Sequence, residues 1–425
     1  MTRRRRSALR AAIGPGLLMA GAAVGVSHLV QSTRAGAEYG LLLLPVVLLA
    51  CLFKYPFLEF GPRYAAATGE NLLAGYLRIG RWALAAFAVI TVSTMCIVLA
   101  VVTLVTAGLA GVLLGLDVPV LHLAAGTLLA CLVLLGVGNY RGLDLVMKIL
   151  MAGLAVSTLA VVLLAMGGQP DWQGLGGIGQ AHRLGTAAGI AFLLALAGWM
   201  PIPLEVAAWH SLWTRERARQ TGQAPSVRDA ITDFRIGYLG ATVLAVAFVL
   251  LGALLMHSSG VTFADSAVGF AAQLVELYAR SLGDWSRPLI TVAALSAMFS
   301  TTLAVADAYP RVLAALAHVA RHGPDAPEPQ SGRGRRHVIA VALVSGGALL
   351  VLYFSGARFT ALIDFATTLA FVSAPLLAWL TLRAVTSGQV PPEARPGPGL
   401  LRLAWISLVF GVAFSGAWIA WLLLG

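Results

Sequence analysis

Charge, lysine and cysteine are all scarce in this chain, and each scarcity closes off a class of protein. Charged residues make up 11% of the 425 residues, too few to solvate a globular surface. A soluble fold is therefore excluded. The three cysteines, Cys51, Cys96 and Cys131, lie in apolar runs without CxxC or CxxxC spacing. That removes a disulfide framework and a thiolate metal site, and leaves small core residues. No nucleophile stands near a base outside the apolar runs, so the chain does not read as an enzyme and calls for no cofactor. What remains is hydrophobic, 59% apolar with a mean hydropathy of +0.85. This is an integral membrane protein, and its first partner is the lipid bilayer.

The net charge of +11 is decided by where the charge sits. Most of the 29 Lys and Arg fall on the side of the N-terminus, while Arg34, Arg183, Arg280, Arg287 and Arg358 fall opposite. The positive-inside rule then puts the N-terminus in the cytoplasm. The basic excess is topology and contact with anionic lipid, not a nucleic-acid footprint. Two lysines, Lys54 and Lys148, against abundant Arg, Ala and Gly point to a GC-rich bacterial source and an inner membrane. Arg3 to Arg6 and the run after them resemble a secretory or twin-arginine leader. The run is long enough to cross, and further spans follow it, so a retained first helix is expected.

Apolar windows long enough to span fall at about 10–33, 39–62, 82–113, 120–138, 144–167, 183–213, 234–256, 286–319, 338–355, 359–383 and 401–424. About eleven helices result, with the C-terminus outside and nothing that demands more than a monomer. The insert from Arg321 to His337 and the Pro-rich stretch Val390 to Pro398 read as cytoplasmic linkers too polar to pack. Phe263 to Ser281 reads as an amphipathic helix at the membrane interface. Gly174-x-Gly176-x-x-Gly179 matches a dinucleotide pattern by spelling alone, without a βαβ unit, and reads as a flexible loop.

Two spans are interrupted. The first, GPGLLMAGAAVGVSHLVQSTRAGA from Gly14 to Ala37, meets Gly25, Ser27 and His28 halfway across, and the sixth meets proline between Ala197 and Pro203. Unwound backbone at that depth is tolerated only where protein buries it or water lines it, and secondary transporters place their substrate between two such breaks. Each broken span is followed by four whole ones, and the two start on opposite sides. The expected fold is all-α, a five-plus-five inverted repeat of the leucine-transporter type, with repeats at about 10–167 and 183–383 and an extra helix at 401–424.

Gly14-Pro15-Gly16, Gln31 to Ala37, Met200-Pro201, Asp229 to Arg235 (DAITDFR) and Ser373 to Pro375 (a SAP turn) resemble the natural resistance-associated macrophage protein (Nramp) family of proton-coupled divalent metal transporters. The similarity runs over nearly the whole chain. In that family the first break reads Asp-Pro-Gly-Asn, with Asp and Asn as metal ligands; here Gly25-Val26-Ser27-His28 stands in its place. The sixth break reads Ala-x-x-Met-Pro-His, with the Ala carbonyl and Met sulfur on the metal; here Ala197 and Met200 are kept and Ile202 replaces His. The third span, Leu84 to Leu113, has no Asp or Glu where the family has acids.

The resemblance implies a secondary active transporter with its site at Gly25, Ser27, His28, Ala197 and Met200. Imidazole and thioether suit softer first-row ions, so Mn or Fe is the expected cargo and Mg or Ca is not. Glu205, His210 and Asp364 are candidates for coupling or gating, with H or Na as coupling ion. Glu205 reads either as functional or as a half-helix cap, His210 as a proton-path residue or an aromatic-belt neighbour of Trp209 and Trp213. Asp307 should pair with Arg311, and Glu59 with Arg63; Lys54 reads as structural. Ser300-Thr301-Thr302 reads as helix packing or a sodium site. The alternative function keeps the scaffold and carries a small organic solute, whose polar groups meet Ser27, His28 and Glu205.

Overall fold

Inside lipid every backbone N–H and C=O must be satisfied within its own segment, and runs this apolar have only the helix to turn to. The computed structural model describes residues 14–137, 141–168, 172–176, 178–257, 260, 263–326 and 335–424. Arg3 to Arg6, the start of the first span, Arg333 and the centre of the 321–337 insert lie outside the described residues.

Helix α1 (Pro15–Ala23) leads through a π-helical turn, Ser27–Ser32, into α2 (Thr33–Tyr39). There follow α3 (Leu44–Thr68), the short α4 (Leu72–Ile79), α5 (Arg81–Leu114), α6 (Val120–Val137) and α7 (Arg141–Gly167). The second half opens on α8 (Ala187–Trp199) and α9 (Val206–Thr221), then α10 (Val227–Leu255), α11 (Ala267–Leu282) and α12 (Ser286–His322). It closes with α13 (Arg335–Phe354), α14 (Phe359–Val385) and α15 (Pro398–Leu424). Among the described residues nine helices are long and apolar enough to cross a membrane. The two interrupted spans account for the short pairs α1/α2 and α8/α9.

The packing repeats itself between halves. The first span packs on α10 as α9 packs on α3, and α12 packs on α7 as α5 packs on α14. Helices α5 and α12 share the longest contact of all, at the centre. Small residues permit the closest approaches: a Cβ on Gly36 would lie 2.0 Å from Val249 O, and one on Gly252 would lie 2.1 Å from Thr33 O. Leu129, Val133, Leu163, Leu343 and Ile406, on the outer helices, face away from the protein, the surface lipid would cover.

Three expectations need correction. The SAP sequence is not a turn, for α14 runs straight through Pro375. The Pro-rich linker does pack: Val390 and Ala394 are buried, and Arg63 donates to Ala394 O at 2.8 Å. Helix α11 is amphipathic and lays its apolar face, with Phe270, Leu274 and Tyr278, on protein. In the glycine-rich loop Trp172–Leu175 is a short helix, pinned by Leu41 N donating to Leu175 O at 2.8 Å; Gly177 lies outside the described residues.

Candidate functional site

The first break begins where α1 runs out at Ala23. Val24 leaves the helical region, Gly25 N donates back to Ala23 O at 2.7 Å, and Leu29 N restarts the ladder on Gly25 O at 2.9 Å. Glycine is required there because a Cβ would stand 2.9 Å from the Thr301 methyl. Ser27 and His28 therefore sit in a π-helical turn and not in open chain. His28 Nε2 lies 2.8 Å from Ala241 O, and since a carbonyl only accepts, that nitrogen carries the proton. Nδ1 lies 2.8 Å from the Ser27 hydroxyl, whose one proton also has Ala23 O at 2.8 Å and Pro201 O at 3.1 Å as acceptors. With no exposure and protein atoms against both nitrogens, His28 is closed to an ion in this conformation.

The second break is longer and its chemistry differs. Pro201 and Pro203 have no N–H, so the carbonyls of Ala197 and Trp199 lose their helical donors. Helix α8 ends at Trp199, and the ladder resumes only where Val206 N donates to Pro203 O at 3.2 Å. Two carbonyls of this stretch are met by a side chain from α3: Lys54 Nζ donates to Gly198 O at 2.6 Å and to Ile202 O at 3.3 Å. The breaks touch each other. Ser27 Oγ lies 3.1 Å from Pro201 O, and Ser32 Oγ lies 3.9 Å from Met200 Sδ. Met200 is fully buried.

Glu205 stands just below. It opens α9 but caps nothing; its carboxylate accepts from Tyr309 OH at 2.8 Å and from Thr94 Oγ1 at 3.4 Å. A cavity of about 10 Å³ lies against it, lined by Thr94, Val98, Pro203, Leu204, Ala370 and Ser373 among others, the space one water needs. His210 is buried in an aromatic nest of Trp213 and Phe234, and neither ring nitrogen has a hydrogen-bond partner among the described residues. The ring faces protein and not the outer surface. The Thr301 hydroxyl donates to Gly21 O at 3.0 Å and Thr302 shares a hydrogen bond with Thr106 at 2.8 Å, joining α12 to α1 and α5.

Known proteins place this geometry. Residues 16–420 match the family model "Natural resistance-associated macrophage protein-like". The chain belongs to the Nramp family. A protein of Pasteurella multocida (strain Pm70), described as uncharacterised, is 35% identical over 414 residues, 96% of this chain and 92% of its own. Among solved structures, the Eremococcus coleocola manganese transporter in complex with an aromatic bis-isothiourea compound superposes with a TM-score of 0.68 at 15% identity, over 98% of this chain and 87% of that one. MhsT in complex with L-phenylalanine gives 0.62 at 13%, over 94% and 98%. At such identities the structures establish the fold, that of the leucine-transporter type. Family membership makes the chain a multi-pass membrane transporter and not an enzyme.

Within this Nramp scaffold the site residues fall into four places, one of them the aromatic nest of His210. Gly25, Ser27, His28, Ala197 and Met200 gather at the breaks, and Glu205 lies one turn beyond them. Asp364 stands apart, toward the end of the molecule that holds α11. There Arg34 Nη1 donates to both its oxygens at 2.9 Å, and Arg34 Nε donates to Glu38 at 2.8 Å. The guanidinium also lies 4.5 Å over the Phe192 ring. Among the described residues no three His, Cys, Asp or Glu side chains come together as a metal cluster. Any ion at the breaks would rest on the Met200 sulfur, carbonyls and hydroxyls.

Four side chains that join these elements are weakly marked in the sequence. Lys54 reads there as structural, although a lysine in mid-span is itself a signal. Tyr309 and Thr94 carry none. Asp233, inside the DAITDFR stretch, accepts from Gly14 N at 3.1 Å and from Gly16 N at 2.6 Å, so it ties down the start of α1. The expected pairs did form, Arg63 with Glu59 at 2.6 Å and Arg311 with Asp307 at 2.6 Å, the latter joined by His337 at 2.9 Å.

Proposed function

We propose that this chain is a secondary active transporter that carries a divalent transition-metal cation of the Mn or Fe kind across the cytoplasmic membrane, by alternating access around the two breaks. The observation that carries this reading is the meeting of the breaks: Ser27 beside Pro201 O, and Ser32 beside the Met200 sulfur. A buried thioether beside the Ala197 carbonyl, which Pro201 leaves without its helical donor, is a softer donor set, suited to first-row transition ions. The Eremococcus coleocola relative, named a manganese transporter, supports the same cargo. The repeats run over about 10–167 and 183–383, supported by the matched packing of the halves, with the N-terminus in the cytoplasm, the C-terminus outside and the chain a monomer.

In this reading Arg34 and Asp364 close the outer side, and Glu205 takes up and releases the coupling proton at the cavity beside it. Replacing Glu205 by Gln should then flatten the pH dependence of uptake while the protein still folds; an unchanged pH profile would return the residue to a structural role. The cargo is tested by calorimetric titration of Mn into purified protein. Saturable binding that Met200→Ala weakens at least tenfold is expected, about 1.4 kcal/mol. A folded protein that binds no Mn would overturn the metal reading and leave a small organic solute as the cargo.

A further inference from the structure

Lys54 is one of two lysines in the chain, and it is buried in the middle of a membrane helix. Its neighbours explain neither the charge nor its position by pairing. Among the described residues no carboxylate lies within salt-bridge distance of it, and the acids of the region have other partners: Glu59 has Arg63, Glu205 has Tyr309 and Thr94, Asp364 has Arg34. What the Lys54 side chain does touch is backbone. It donates to Gly198 O, in the last turn of α8, and to Ile202 O, inside the unwound stretch.

Those two carbonyls bracket the break. The C-terminal end of a half-helix carries partial negative charge, and in broken-helix transporters such ends, with the unwound carbonyls beside them, hold mobile cations. Here the place is taken by a cation that cannot leave, because α3 carries it. Met200 and the Ala197 carbonyl belong to the same few residues of chain. The first break offers nothing to offset the added charge, since Gly25, Ser27 and His28 bring no carboxylate.

We propose that Lys54 is a tethered resident cation that sets the charge preference of the transport site: its ammonium fills the carbonyl end of α8 and weakens the grip of the site on a divalent ion. The inference rests on the metal-transport reading. It makes Lys54 a specificity-determining residue and the site a low-affinity one, selective for ions that gain from the Met200 sulfur. The sign of the effect separates this role from that of a cap. A lysine that merely holds the break together would, when removed, lower metal binding along with stability. A resident cation would, when removed, raise it.

The experiment is Mn binding by calorimetry to purified wild type, Lys54→Met, Lys54→Gln and Lys54→Arg, with thermal unfolding as the check on folding. Gln keeps N–H donors for the carbonyls without charge, so it serves if Met fails to fold. Repulsion between a monovalent and a divalent cation within one buried site, at an effective dielectric of about 20, is worth well over tenfold in affinity. The neutral variants should therefore bind Mn at least tenfold more tightly than wild type, and Lys54→Arg should stay near wild type. Unchanged or weaker Mn binding in a folded neutral variant overturns the inference while leaving the metal reading in place. Absence of Mn binding in wild type and variants alike overturns both. Failure of both neutral variants to fold makes Lys54 a structural cap and also overturns it.

Discussion

The two ends of the molecule are closed by different chemistry. At the end where α1 begins, the Asp233 carboxylate, 2% exposed, accepts from the backbone of Gly14 and Gly16. At the other end Arg34 and Asp364 pair at 2.9 Å with side chains 15% and 28% exposed. One closure sets a buried carboxylate on a helix N-terminus, where the dipole favours it; the other is a partly hydrated ion pair backed by Phe192. The residues of the breaks lie buried between them. The difference teaches which closure should be costly to open. Buried charge-assisted hydrogen bonds lose much when one partner goes, whereas a hydrated pair exchanges its partner for water and salt.

The largest effect should come from breaking the buried closure. Gly16→Ala has no room, because a Cβ would lie 2.1 Å from Asp233 O, and Asp233→Ala leaves two N–H groups without their acceptor. Each should cost roughly 2–4 kcal/mol at this contact. The expected readouts are a fall in melting temperature and faster thiol labelling of a cysteine introduced next to the start of α1. If Asp233→Ala labels and melts like wild type, the carboxylate is not what holds α1.

A smaller effect is expected at the other end. Asp364→Asn should weaken that closure by about 1 kcal/mol and leave the melting temperature nearly unchanged. It should raise labelling from the α11 side alone, and added salt should shrink its difference from wild type. A loss as large as that of Asp233→Ala, or one indifferent to salt, would erase the distinction between the two ends.

The scaffold was legible because membrane physics writes it in one dimension. Among the described residues nine predicted windows hold a helix long and apolar enough to cross a membrane, and both breaks fall where glycine or proline interrupts apolar sequence. The site was only half legible. Periodicity brought out Glu59 with Arg63 and Asp307 with Arg311, since i,i+4 pairs are local. Partners far apart in sequence left no such trace: Lys54 with Gly198, Asp233 with Gly14, Glu205 with Tyr309. Composition misled where long-range contact overrides it. Val390 to Pro398 is polar and Pro-rich, yet Arg63 holds it against α3. Ser27 and His28 were expected in open chain, and a π-helical turn took them up instead.

The smallest effect sharpens the comparison by showing that charge at the α11 end matters only on elements that close the site. Glu276 on α11 pairs with Arg287 at 2.6 Å and with Arg280 at 3.0 Å, and these arginines, Arg287 first, hold its carboxyl below the usual carboxylate range. The Glu276 side chain is 35% exposed, so screening leaves the pairs little to contribute. A depressed carboxylate stabilises above the pKa of the unfolded chain, and that contribution fades as the pH falls through the folded value. Glu276→Gln should therefore match wild type in melting temperature and in labelling at neutral pH, and any residual difference should vanish in acid. A clear loss of closure in Glu276→Gln, comparable to that of Asp364→Asn, would mean that α11 moves with the gate and that the hydrated surface of this end carries more of the seal than Arg34 and Asp364 do.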